Sequence, residues 1–228
     1  MMRILLFCCV ALLTACQSPG VLPPPAPIAP EGREHPQLGQ IVELASGERL
    51  TPEQLVERLA RAPRLLVGEQ HDNPDHHALQ LWLLRELAAR RAQGSLLLEM
   101  LTPGQQERVA QVQAQSRAGN APRDLIGALA WQPGWDWSLY GPLVSEVLRQ
   151  PYPLLAANLE RSEIMAIYQQ RPTLPSGMAT TPAVQDALFA DIRESHCGLL
   201  PESQLPAMLA VQQQRDRRMA ERLLAAPQ

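Results

Sequence analysis

The stretch that decides the fold is Leu65-Leu66-Val67-Gly68-Glu69-Gln70-His71-Asp72-Asn73-Pro74-Asp75-His76-His77. An apolar run ends in a glycine, then come a glutamate and a histidine, then a helix-starting signal. A short continuous apolar run reads as a buried parallel strand, predicted here over 64–69. Asn73 suits an N-cap, and Pro74 suits the first helical position, where a missing N–H costs nothing. The polar residues therefore stand at the carboxyl end of a strand, where open α/β sheets place their sites. A chain extended through position 71 turns Glu69 and His71 to the same side. Three of the five histidines, His71, His76 and His77, fall within seven residues.

The same alternation continues outward. Further strands are expected over 40–45, 95–100 and 153–158, the last two ending in Glu99 and Asn158. Helices are expected from Pro52 to about Arg61, Pro74 to about Arg91, Pro103 to Arg117, a short one up to Ala130, then Leu139 to Gln150, Arg161 to Gln169, Pro182 to His196 and Glu202 to Ala225. The reading is a single α/β domain with a mainly parallel sheet flanked by helices. Three strand ends would then offer Glu69 with His71, Glu99 and Asn158 along one sheet edge. Glu69, His71 and Glu99 together have the chemistry for a divalent metal or for proton transfer. The plain alternative is a hydrogen-bonded polar cluster, although a glutamate is rarely buried without a partner.

Residues 131–137 hold three of the four tryptophans, and Tyr140 follows them. Tyrosinate is a hard oxygen donor, while a core tyrosine bonded through its hydroxyl is as good an account. Tyr168 and His196 are secondary candidates. His76 and His77 open a helix, where solvation alone explains a histidine. No C-x-x-C-H motif occurs, so covalent c-type haem is excluded. No nucleophile elbow or phosphate-binding glycine loop appears either.

Composition narrows the partners. The chain has 228 residues, a net charge of −3 and 46% hydrophobic residues. Nothing in that balance suggests nucleic acid. Lysine is absent, so an anionic ligand must be met by arginine, histidine or backbone N–H groups. Residues 1–15 read as a signal peptide, with Arg3 before a short apolar run. Leu13-Thr14-Ala15-Cys16 resembles the bacterial lipobox, so Cys16 is the expected lipidation site. Gln17 after it resembles the outer-membrane sorting class of bacterial lipoproteins. Residues 16–37, including Val-Leu-Pro-Pro-Pro-Ala-Pro, read as a semi-rigid spacer holding the domain off a membrane. After cleavage Cys197 is the one free thiol, so no intramolecular disulfide is expected.

The motifs also carry a resemblance. GEQHDNPDHHALQLWLL at 68–84 is similar to the opening motif of the ChaN-like haem-binding uptake proteins of the Tiki and erythromycin-esterase superfamily. LLLEM at 96–100, WDWSLYGPL at 135–143, PLLAANLER at 153–161, SHCG at 195–198 and QQRDRRMA at 213–220 follow in the family's order. The resemblance implies an α/β domain over 38–228 that binds haem non-covalently for iron uptake, held to the membrane through a lipid anchor. Together with the aromatic WDWSLY segment and the preference of ferric iron for an anionic oxygen donor, it points to Tyr140 as the iron ligand, with His71, His76 and His77 beside a helix N-terminus for the propionates. With only 4% aromatic residues, the pocket walls are expected to be aliphatic and shared in a homodimer. In the family another strand and a Gly-x-x-His-type motif follow the RDRRMA helix, so the chain is expected to be incomplete relative to that fold. The competing reading is an enzyme, a metal-dependent or Glu/His hydrolase using Glu69, His71 and Glu99. A binding protein is the preferred one.

Overall fold

The computed structural model describes residues 20–227. The signal peptide and Cys16 lie outside the described residues. The helices begin where the sequence caps them. Thr51 and Gln54 form a reciprocal capping box ahead of α1 (Pro52–Ala60). Asn73 accepts from the Asp75 amide at the start of α2 (Pro74–Ala88). A 3₁₀ turn at Pro103–Gln105 leads into α3 (Gln106–Arg117). Asp124 caps α4 (Leu125–Leu129), and Asp136 caps α5 (Trp137–Leu148). The remaining helices are α6 (Arg161–Gln170), α7 (Pro182–Ser195) and α8 (Leu205–Ala225). None of the described helices is long and apolar enough to cross a membrane.

The expectation of a mainly parallel sheet is not met. Strand β1 (Ile41–Val42) pairs antiparallel with β2 (Arg49–Leu50). Strands β3 (Leu96–Leu98) and β4 (Leu154–Ala156) form a parallel pair with Leu96 opposite Leu154. Among the described residues there is no larger sheet. Side chains explain why β4 gains no second neighbour. Gln106 donates to the Leu154 carbonyl and accepts from the Ala156 amide, at 3.0 and 2.8 Å. Gln113 accepts from the Leu154 amide, and Arg222 donates to the Ala156 carbonyl. Two glutamines of α3 and one arginine of α8 thus take the edge that another strand would occupy. Buried backbone groups need partners, and side-chain amides serve as well as a ladder.

The Leu65-Leu66-Val67 run is likewise not a paired strand. Backbone hydrogen bonds from 65–69 to other described residues are absent. Leu66 is 84% exposed and Val67 53%. The run still delivers the Glu69 side chain to the interior, but Leu66 and Val67 do not build the core.

That core lies between β3–β4 and helices α2, α3 and α5. Leu98, Leu101, Val109, Val144, Val147 and Leu154 are among its buried members. A satellite cluster of Ile192, Leu205 and Leu209 joins α7 to α8. Gln113, 4% exposed, also donates to the Val147 and Tyr152 carbonyls, tying α3 to the end of α5.

Part of the proline-rich segment packs on the domain. From Leu22 to Ala29 it lies against α2 through hydrogen bonds to Trp82, Glu86 and Asp75. Proline lacks an N–H, so the segment can lie on a helix without orphaning many donors.

Candidate functional site

Glu69 is the centre of the site. Its side chain is 6% exposed and accepts three hydrogen bonds. The Tyr140 hydroxyl donates to Oε1 at 2.5 Å, His71 Nδ1 stands 3.0 Å from the same oxygen, and Gln80 Nε2 donates to Oε2 at 2.5 Å. Burial opposes the charge, but the bonds from Tyr140, His71 and Gln80, with His77 adding attraction, outweigh it. The carboxyl is held below the usual glutamate range.

A carboxylate only accepts, so the His71 bond requires a proton on Nδ1. Nε2 then carries the lone pair. His71 is 53% exposed, and its ring meets the edge of Trp135 at a centroid distance of 5.0 Å. Beside it runs an open groove of about 500 Å³, lined by Ile126, Trp131, Pro133, Gly134, Trp135, Asp136 and Trp137. Trp131 and Trp137 meet edge to face at 5.0 Å, and Trp131 Nε1 donates to the Trp135 carbonyl, which closes the loop on itself. The groove is therefore aromatic, where sequence reading expects aliphatic walls.

The other histidines fasten this arrangement. His76 Nδ1 accepts from the Gln70 amide at 2.8 Å. His77 Nε2 donates to the His71 carbonyl at 3.0 Å. His77 is buried, its ring against Tyr140, and its Nδ1 lies 3.5 Å from Glu69 Oε2. Both rings pin the 70–71 backbone to the first turn of α2.

Tyr140 is 1% exposed, and its hydroxyl is directed at Glu69. Burial raises its pKa far above the ordinary tyrosine value, and the bond to Glu69 adds to that. A phenol held this way supports a carboxylate and does not present an oxygen to the groove. His196 bonds its own helix through the Ile192 carbonyl.

Glu99 ends β3 as expected but turns to α8, where Arg215 Nη1 lies 3.5 Å from its carboxylate. Its carbonyl accepts from Asn158 Nδ2, which joins the ends of β3 and β4. Among the described residues no three of His, Cys, Asp or Glu are grouped to hold a metal ion. Glu69, His71 and Glu99 do not converge in that way: Tyr140 and Gln80 bond Glu69, and Arg215 stands beside Glu99.

Sequence reasoning missed Gln80, although it singled out the aromatic loop that walls the groove. A signal for Gln80 was available, since His77 and Gln80 are three apart on one helical face.

A family model described as haem-binding uptake, Tiki superfamily, ChaN matches residues 55–228. The chain is also similar to a solved structure of cofacial haem binding to ChaN of Campylobacter jejuni. Sequence identity is 30% and the TM-score 0.74, over 82% of this chain and 75% of that one. No curated protein matches the chain.

Proposed function

Because the chain belongs to the haem-binding uptake family of the Tiki superfamily, we propose that it binds haem non-covalently, with His71 Nε2 as the axial iron ligand. The observation that carries this is the His71 geometry. A histidine ligand to a metal is commonly oriented by a carboxylate on its other nitrogen. Glu69 supplies that carboxylate, 3.0 Å from Nδ1. The half-exposed His71 ring meets Trp135 of a groove walled by three tryptophans, which fits a flat apolar ring. Haem bound there would supply an iron centre for His71 to hold, while the groove excludes water from one of its faces. The lining includes Asp136 and no arginine, so it would offer the propionates of a bound haem no cation.

Tyr140 takes the role of positioning Glu69. Its hydroxyl bond restrains the carboxylate that restrains His71. An open groove covers one haem face, and a second copy carrying its own haem would cover the other. That is the reading of a homodimer, consistent with the cofacial haem binding described for the relative. The tether belongs to the same proposal: Leu13-Thr14-Ala15-Cys16 would carry lipid and hold the domain at the outer membrane for haem uptake.

Haemin titration followed by absorbance tests the ligand. Wild type should saturate with a histidine-type spectrum. His71→Ala should lose that spectrum and regain it with added imidazole. Tyr140→Phe should keep the spectrum type. A spectrum unchanged in His71→Ala but altered in Tyr140→Phe would return the iron to Tyr140.

A further inference from the structure

The segment before β1 is built into the domain. The Leu22 amide donates to Glu86 Oε1 at 3.3 Å, and the Leu22 carbonyl accepts from Trp82 Nε1 at 3.0 Å. Trp82 and Glu86 are one turn apart on α2. Six residues further along, the Ile28 and Ala29 amides both donate to Asp75 Oδ1, at 2.5 and 3.1 Å. Arg33 then folds back, its Nε donating to the Ala29 carbonyl and its Nη2 to the Ile28 carbonyl. Ala29 is buried, 7% exposed.

The lengths agree. An extended proline-rich chain from Leu22 to Ile28 covers about 19 Å. The helix from Asp75 to Glu86 rises about 16 Å. The segment therefore runs antiparallel to α2 along nearly its whole length. Pro23, Pro24, Pro25 and Pro27 have few unfolded conformations to lose, so ordering them costs less than ordering other residues.

What lies under the Asp75 end gives this contact a consequence. Asp75, His76 and His77 share the first turn of α2. His76 holds the Gln70 amide, and His77 holds the His71 carbonyl. Both bonds fix the backbone that aims His71. We propose that Leu22–Ala29 is a strap that locks the first turn of α2 and, through it, the loop bearing His71. The site is then complete only with the strap seated, and its release loosens the loop and weakens ligand binding. The ligand half of this rests on the haem reading above; the mechanical half does not.

Two variants of the full chain test it. Ala29→Glu sets a carboxylate against Asp75 in a buried position. Replacing residues 21–29 with a glycine/serine sequence of equal length removes the strap's contacts outright. Hydrogen exchange at Leu22, Ile28 and Ala29 reports the strap, and exchange at Gln70 reports the loop. Both variants should exchange about tenfold faster at Gln70, with α8 amides unchanged, because only local opening is made easier. The apparent dissociation constant for haemin should rise about tenfold in the same proteins, since affinity falls with the binding-competent fraction. Unchanged Gln70 exchange in the glycine/serine variant overturns the strap. Faster exchange with unchanged haemin affinity overturns its link to the site. If wild type binds no haemin, the haem reading fails by itself, and Gln70 exchange still decides whether the strap locks the loop.

Discussion

A tryptophan against a helix backbone needs a neighbour without a side chain, and α5 provides one at Gly141. A Cβ at that position would stand 2.8 Å from Cε2 and Nε1 of Trp137. Alanine is the better helix former by about 1 kcal/mol, so propensity alone favours Gly141→Ala. The contact is far inside van der Waals distance and involves a rigid ring, so the clash wins and Trp137 must turn. Its edge-to-face contact with Trp131 would be lost, and both rings line the groove beside His71. Gly141→Ala is therefore expected to weaken haemin binding while leaving the helix content of the protein intact. Titration alongside circular dichroism checks both halves; tighter or unchanged binding would mean that Trp137 does not shape the groove. The same scale shows what was legible in the chain. Glu69 and His71 meet as their i, i+2 spacing suggests, and Tyr140 joins them. That Tyr140 lies buried behind Glu69, with the half-exposed His71 against Trp135, depends on how α5 packs on α2, and local sequence does not encode that.

Helix positions were readable because capping is local chemistry: Thr51-Pro52, Asn73-Pro74 and Thr181-Pro182 each start a helix where expected. Sheet extent was not, because it depends on which distant group reaches a strand edge first. Here α3 does, through Gln106 and Gln113, and a glutamine-rich helix gives no hint of that in one dimension. Gln113→Leu keeps the volume but leaves the Leu154 amide buried without its acceptor. An orphaned buried donor costs about 1–3 kcal/mol. A fall of that size in denaturant unfolding, with an unchanged slope, is expected; a neutral substitution would mean that the glutamine edge is dispensable. A second link between elements is electrostatic. Glu146 of α5 is held below its ordinary value of 4.5 by Arg85 of α2 first, then, against some burial, by Arg149. A lowered folded pKa means that the unfolded chain binds the proton more readily. The stabilisation is full above the ordinary value and disappears as pH falls through the folded one. Wild type and Glu146→Gln should differ in melting temperature at pH 7, and the gap should close as pH falls below the ordinary glutamate value. A gap independent of pH would assign the effect to packing.

At the scale of the whole molecule, the seated strap changes the distance between anchor and domain. A free spacer of residues 17–37 would let the domain wander far from a membrane. With Leu22 fastened to Trp82 and Glu86, six peptide steps separate Cys16 from α2. Six steps reach at most about 20 Å. Leu22 is fastened at the carboxyl-terminal half of α2, whereas His71 is fastened through His77 at its amino-terminal turn, about 8–14 Å away along the helix. A lipid on Cys16 would therefore keep the domain close to the bilayer. Stable anchoring takes more than one acyl chain, as a lipidated amino-terminal cysteine provides. Cys16→Ser should shift the protein from the membrane fraction to the soluble one, and retention after a high-salt wash would refute lipid anchoring. In reconstituted vesicles, energy transfer from Trp131, Trp135 and Trp137 to an acceptor at the bilayer surface should fall when residues 21–29 are replaced by glycine and serine, because the freed chain lets the domain move away. Transfer unchanged by that replacement would mean that the strap does not set the distance.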